Sequence, residues 1–225
     1  MERLNLSARA ILFDLDGTLI NLPNDKFFDD LLIKTLTMLG LNIPSEEERF
    51  SLWSSGKRFE EILKSWGVKN IDEFWKIFDD LDLKKRIELI NAGVIRPFDD
   101  VKPALMELKA RGFKLGIVTN TPAEIALLEL ETFDLKRFFD YLVMLGTVEQ
   151  AKAKPEPDGI LWCLSALNVK PKEAIYVGDS FEDILAGKRA GVYTVLVKRR
   201  DLKLPIDSDF EIDNLLLLLE LLKLT

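Results

Sequence analysis

Three short apolar runs in this chain each end on residues that can do chemistry, and the segments between them are helical in pattern. Ala10–Phe13 runs into Asp14, Asp16, Gly17 and Thr18; Leu115–Val118 runs into Thr119 and Asn120; Ile175–Val177 runs into Asp179, Ser180 and Asp183. Such runs, separated by helical stretches, read as buried strands of a parallel sheet covered on both faces. Ligands of open parallel sheets bind beyond the carboxyl ends of the strands. The three polar clusters are therefore expected to converge on one edge. The two acids of the first cluster are spaced to share one cation or one phosphoryl group.

The alternation holds from about Asp99 onward. Helices are expected at Asp99–Arg111, Pro122–Thr132, Asp158–Leu167 and Phe181–Ala190, with strands at Lys114–Val118, Tyr141–Met144, Ala174–Val177 and Tyr193–Val197, and Asp213–Lys223 closing the chain. Thr121-Pro122-Ala123-Glu124 reads as a capping box with proline in the first turn, which leaves Thr119 for a ligand. Either Asp179 or Ser180 is expected to cap the Phe181 helix. Between Asp25 and Asn91 the pattern is helical throughout: Asp25–Leu39, Ser45–Trp53, Arg58–Trp66, Asp72–Asp79 and Leu83–Asn91, with Trp53, Phe59, Trp66 and Trp75 as an aromatic core. The expected fold is α/β, a doubly wound (Rossmann-like) parallel-sheet core of residues 1–20 and 95–225 with an all-helical cap inserted at 21–94.

Composition narrows the chemistry by what it omits. The chain has no histidine, which excludes a Ser-His-Asp triad, a histidine zinc site and a histidine phosphocarrier. Its single cysteine, Cys163, has no disulfide partner within the chain, in keeping with a reducing cytoplasm. A net charge of −7 without a basic stripe argues against a nucleic-acid partner. The cluster Lys198-Arg199-Arg200 is followed by Asp201 and reads as a solvated strand end. Met1–Asn5 lacks the apolar run of a signal peptide, and Leu215–Leu224 is too short to span a bilayer, so no membrane association is expected. That leucine-rich stretch reads as a packed terminal helix, and its leucines leave monomer and homodimer both open.

Four carboxylates, Asp14, Asp16, Asp179 and Asp183, meet at the expected sheet edge with no histidine or thiolate among them. Oxygen ligands of this kind favour a hard divalent ion such as magnesium. Thr119, Asn120, Ser180 and the amides that open the following helices suit a phosphate. Lys154, in Lys152-Ala153-Lys154-Pro155, is a cation that could offset charge in the transition state, though by themselves Lys152 and Lys154 read as solvated loop charges. In the helical insert, Lys57 and Arg58 form the one basic spot beside a helix start and could reach a second anionic group on a substrate.

These residues, in this order, resemble the haloacid dehalogenase superfamily, specifically its phosphoglycolate-phosphatase-like members with a helical cap after the first motif. Asp14-Leu15-Asp16-Gly17-Thr18 is similar to the first motif, Thr119-Asn120 to the second, Lys154-Pro155 to the third and Gly178-Asp179-Ser180-Phe181-Glu182-Asp183 to the fourth. The resemblance covers nearly the whole chain. It implies a magnesium-dependent phosphatase acting on small phosphate monoesters of the phosphoglycolate or sugar-phosphate type. Asp14 would be the nucleophile that becomes an aspartyl-phosphate, and Asp16 the acid/base. Asp14, the backbone carbonyl of Asp16, and Asp179 would ligate magnesium, with Asp183 holding its waters. Thr119, with Asn120 beside it, would bind the phosphoryl group, and Lys154 would steady both Asp14 and that group.

Asp16 also separates the family's branches. A halide leaving group needs no proton and an alkoxide does, so the second aspartate favours phosphate esters over haloacids. A beta-phosphoglucomutase-type phosphomutase shares the four motifs but typically uses a cap histidine, which this chain lacks. A non-catalytic binding protein on the same fold would be marked by loss of the nucleophile or the metal aspartates, and neither is lost.

Overall fold

In the computed structural model, which describes residues 8–24, 26–53, 55–146, 149–200 and 204–222, the chain begins with the strand β1 (Ala10–Phe13). A short strand β2 (Ile20–Asn21) leads into four helices, α1 (Phe27–Met38), α2 (Glu46–Trp53), α3 (Phe59–Ser65) and α4 (Ile71–Asn91). The chain returns through β3 (Arg96–Pro97), then follows α5 (Val101–Ala110), β4 (Lys114–Thr119), α6 (Ala123–Thr132), β5 (Tyr141–Met144) and α7 (Asp158–Leu167). It continues with β6 (Ala174–Gly178), α8 (Phe181–Ala190), β7 (Tyr193–Val197), β8 (Phe210–Ile212) and α9 (Leu216–Leu221).

Six strands form one parallel sheet in the order β5-β4-β1-β6-β7-β8. Strand β1 is central, and all four of its side chains are fully buried. Its alternation sorts them onto two faces. Ile11 and Phe13 join Leu115, Ile117, Ile175 and Val177 under α5, α6 and α9. Ala10 and Leu12 join Val118 and Tyr176 under α7 and α8. Helices on both faces make the core doubly wound, as the alternating pattern requires. In register, Phe13 stands opposite Ile117 on one side and Val177 on the other. The three strands therefore end level, and the residues that follow them meet.

The helical insert has a core of its own, built from α1 to α4 around Leu32, Leu36, Leu63, Phe74, Trp75 and Phe78. Where the chain leaves and re-enters the sheet layer, β2 and β3 pair antiparallel, Ile20 with Pro97 and Asn21 with Arg96. This ribbon tethers the cap directly behind the first motif.

The structure departs from the sequence reading in identifiable places. The expected helices Asp72–Asp79 and Leu83–Asn91 are one continuous helix, α4. Between them lie Asp80, Leu81 and Asp82, with no glycine or proline to break a helix, and Asp82 pairs with Arg86 one turn on. Strands β2, β3 and β8 are too short, or too polar, to have stood out. The closing helix is shorter than expected; Lys223 and Leu224 lie outside the described residues, as does Asp25, the expected start of the first cap helix, which is seen from Phe27. Among the described residues no helix is long and apolar enough to cross a membrane.

Candidate active site

The sheet edge gathers the expected residues. Asp14 follows β1 and is 5% exposed; its backbone N–H donates to Val177 O at 2.9 Å, which continues the parallel ladder one residue past the strand. Gly17 turns the chain with φ +80°, and an added Cβ there would lie 2.3 Å from Asp179 Oδ2. Glycine at this position thus serves both the turn and the close approach of a carboxylate. Thr18 then donates to Asp179 Oδ1 at 3.1 Å.

Lys154 is fully enclosed between two acids. Its Nζ donates to Asp14 Oδ1 at 2.5 Å and to Asp183 Oδ1 at 2.6 Å. Burial works against its charge, but Asp14 and Asp183 outweigh that and hold the ammonium well above the usual lysine range. Asn120 fixes the loop that carries this lysine: its amide donates to Lys154 O at 3.0 Å, and Lys154 N donates to Asn120 Oδ1 at 2.8 Å. So both hydrogen-bonding atoms of the Asn120 side chain are committed to backbone.

Asp183 lies in the first turn of α8 and is buried. Its Oδ2 accepts from the N–H groups of Asp179 and Ser180 and from the Ser180 hydroxyl at 2.7 Å. Ser180 is the N-cap, accepting in turn from Asp183 N. The cap alternative expected from sequence is thus resolved in favour of Ser180, leaving the Asp179 side chain to the site.

Asp14, Asp179 and Asp183 each place one oxygen within 4.8 Å of the others. Without a cation this grouping is electrostatically costly. Burial, then Asp183, push Asp179 up to about 7, against the pull of Arg200 and Thr18. Burial also raises Asp14 well above the usual carboxylate range; Lys154 opposes this, and the charges of Asp183 and Asp179 add to it. An all-carboxylate donor set strained in this way fits a hard divalent ion, which would relieve the repulsion. Among the described residues these are three side chains grouped closely enough to hold it.

Thr119, at the end of β4, is buried and shares a 2.8 Å hydroxyl contact with Thr121. Thr121 does not cap α6, contrary to the sequence reading; Pro122 occupies the cap position, and no side chain caps there. Instead the Thr121 hydroxyl donates to Asp16 Oδ2 at 2.8 Å. It is a site residue that capping logic hid.

A second residue is absent from the sequence reading altogether. Arg86, on cap helix α4, is fully buried and donates through Nη1 to Asp16 Oδ1 at 2.6 Å and through Nη2 to Asp16 Oδ2 at 2.7 Å. It also bonds Asp82 at 2.8 Å and Glu129 of α6 at 2.8 Å. The rings of Phe27 and Phe28 lie against its guanidinium. One cation thus faces three carboxylates. Burial pushes Glu129 up to about 7 and the charge of Asp16 adds to the shift, while Arg86 resists it. The only sequence signal was an acid four residues before an arginine on a helix, a pattern that ordinarily marks a solvated pair.

Of the basic spots elsewhere, Lys57 and Arg58 take the surface role that their sequence also allowed, and Arg199 departs from the solvated strand end expected of it. Lys57 lies 3.9 Å from Glu156 at the surface, and neither Lys57 nor Arg58 lines the site cavity. Arg199 is not solvated: it pairs with Asp100 at 2.8 Å, donates twice to Thr18 O and stacks on Phe98. Arg200 lies 3.5 Å from Asp179. Cys163 is buried behind β4, its thiol pushed up to about 12 by burial, and is chemically inert there.

Comparison with known proteins agrees with this geometry. A model of the haloacid dehalogenase-like hydrolases matches residues 11–197. The chain is 33% identical to a pyrophosphatase PpaX of Anoxybacillus flavithermus over 98% of this chain and 99% of that one. It is 36% identical to a phosphoglycolate phosphatase of Aquifex aeolicus over 84% of each chain. Among solved structures, a HAD phosphatase from Thermococcus onnurineus superposes with a TM-score of 0.61 at 27% identity, covering 95% of this chain and 97% of that one. With the four motifs gathered at one sheet edge and a family match across nearly the whole chain, the protein belongs to the haloacid dehalogenase-like hydrolases, among their phosphatases.

Proposed function

We propose that this phosphatase hydrolyses small phosphate monoesters, with magnesium, through an aspartyl-phosphate on Asp14. The observation that carries the reading is the pairing of Asp14 with Lys154 at 2.5 Å, beside a second aspartate, Asp16, whose oxygens are held from the cap. In the first step an Asp14 oxygen attacks phosphorus and the bond from phosphorus to the leaving oxygen breaks. A protonated Asp16, with one oxygen turned from Arg86 to the leaving group, gives that oxygen its proton. In the second step Asp16 takes a proton from water, which attacks phosphorus and releases phosphate and free Asp14.

The other residues position and neutralise. Lys154 fixes the Asp14 carboxylate and offsets charge on the phosphoryl oxygens. Thr119 faces those oxygens, while Asn120 acts through the Lys154 loop. Asp14, the backbone carbonyl of Asp16 and Asp179 would hold magnesium, with Asp183 holding its waters, and the ion would supply charge neutralisation at the phosphoryl group. Residues 21–94 act as the cap that excludes water and selects the substrate. The single, buried cysteine supports a cytoplasmic setting.

The test is phosphate release from a panel of phosphoglycolate, sugar phosphates, pyrophosphate and p-nitrophenyl phosphate, with and without magnesium. Release that requires the metal, with a phosphorylated protein trapped by acid quench, is the expected result. Isomerisation of a sugar phosphate without release, or no turnover of any member, would overturn it.

A further inference from the structure

The reaction just described leaves most of the cavity above it unused. That cavity encloses about 350 Å³, a volume suited to a small ligand. Its floor is the polar sheet edge. Its cap side is aromatic: Phe28, Phe50, Trp53, Phe59, Trp75 and Phe78 all line it. Phe50, on α2, is 72% exposed although it borders this cavity, so it contributes little to the packed core of the cap. Trp75 is buried, and its indole N–H has no hydrogen-bond partner among the described residues.

The charges in the cavity are distributed unevenly. Among the described residues its cations are Lys154, Arg86 and Arg200. Lys154 is bonded to Asp14 and Asp183, Arg86 to Asp16, Asp82 and Glu129, and Arg200 lies beside Asp179. All three belong to the carboxylates around the phosphoryl position. The cap helix α4 adds Asp79 and Asp82 to the lining. A leaving group with its own carboxylate or phosphate would lose water against the aromatic rings without gaining an uncommitted cation, which is unfavourable. An uncharged ring would instead stack on those aromatics and bury apolar area.

Resting on the phosphatase reading above, we propose that the cap cavity selects monoesters whose leaving alcohol is uncharged and carries an aromatic or similarly apolar group. The phosphoryl group sits at Asp14, and the ring lies against Phe50, Trp53 and their aromatic neighbours. A second anionic group on the substrate is disfavoured, in contrast to the phosphoglycolate and sugar-phosphate expectation from sequence.

The test compares esters of unactivated alcohols: benzyl phosphate and 2-phenylethyl phosphate against phosphoglycolate and glycerol 3-phosphate, using the full chain with magnesium. The expected kcat/KM for benzyl phosphate exceeds that for phosphoglycolate by about tenfold or more. Phe50→Ser should lower the benzyl-to-glycerol ratio of kcat/KM by roughly threefold or more, and the exposure of Phe50 keeps folding out of the comparison. Equal or better turnover of phosphoglycolate overturns the proposal, as does an unchanged ratio in Phe50→Ser. Failure to release phosphate from any ester, p-nitrophenyl phosphate included, would instead defeat the phosphatase reading. In that event binding decides the cavity question: benzylphosphonate should quench tryptophan fluorescence at lower concentration than phosphonoacetate, and the reverse order overturns the proposal.

Discussion

Arg86 grips both carboxylate oxygens of Asp16, at 2.6 and 2.7 Å, from a helix that is inserted between the first motif and the rest of the core. The bidentate geometry fixes the orientation of Asp16 more tightly than a single contact would. It also makes the cap a structural part of the acid/base arrangement. Asp82 and Glu129 complete the network, so that one guanidinium joins cap helix α4, the first motif and core helix α6.

Removing Arg86 therefore strands three acids. Arg86→Met is expected to destabilise the protein by about 3–5 kcal/mol, because the carboxylates remain buried without a partner. For a chain of this size that is a fall in Tm of roughly 6–20 °C. Arg86→Lys keeps the charge but loses the fork. It should retain more stability than Arg86→Met while lowering kcat with little change in KM, since the residue acts through Asp16. Thermal unfolding and steady-state kinetics on the two variants check both statements. An Arg86→Met protein with unchanged Tm would refute the network.

Glu129 makes stability depend on pH in a stated direction. Its carboxyl is pushed up to about 7 in the folded state, against 4.5 for an unburied glutamate. Between those values the folded chain binds more protons at Glu129 than the unfolded chain does. Stability from this group is thus fully present below about pH 4.5 and is lost as pH rises through about 7. In metal-free protein, Glu129→Gln should flatten the decline in Tm between pH 5.5 and 8. Asp179 contributes in the same direction, so a residual slope is expected. An identical pH dependence in Glu129→Gln and the parent would show the carboxyl to be charged throughout.

The acidic trio predicts a response to metal. At a magnesium concentration one hundred times its Kd, binding to the folded state should add about 2.7 kcal/mol of stability. Chelation should abolish phosphate release, and Asp179→Asn should remove most of the magnesium-dependent rise in Tm. Asp14→Asn should lower turnover by roughly 10³-fold or more, as loss of a nucleophile does. Calorimetric scans with and without magnesium, alongside phosphate release, check these outcomes. A magnesium effect on Tm of unchanged size in Asp179→Asn would place the ion elsewhere.

Gly17 offers a test that leaves every reactive group in place. A Cβ at this position meets Asp179 Oδ2 at 2.3 Å and must also accept φ +80°. Gly17→Ala should therefore displace the Asp179 carboxylate. The expected result is weaker magnesium affinity, by tenfold or more at about 1.4 kcal/mol per decade, with a smaller loss of stability. Titration calorimetry reads the affinity directly. Wild-type affinity would mean that the loop relaxes without moving Asp179.

The sheet core was legible because its signals are local. Tyr141–Met144, Asp158–Leu167 and Tyr193–Val197 have the bounds that apolar runs and their flanking breakers imply, while the first strand, expected over residues 10–15, ends at Phe13. Asp14, Thr119, Asp179 and Asp183 could be gathered on paper because a parallel sheet brings strand ends to one edge, whereas Lys154 was singled out only by the family resemblance. Short ladder partners such as β2 and β3 left no such trace, since two residues of strand have no periodicity to read.

What the chain order determined alone is the α/β core, the insertion of a helical cap after the first motif, and the acidic chemistry of the edge. What only the tertiary structure decided is how cap and core share that chemistry. Arg86 and Asp16 are separated by 70 positions, and nothing in either local sequence requires their contact. Thr121 likewise turned from helix cap to Asp16 partner, because a buried carboxylate competes strongly for a nearby hydroxyl. Long-range pairings of buried charge are set by which faces pack together. That packing also set the aromatic side of the cap over the acids, choosing a cavity wall for rings that the sequence left between core and pocket.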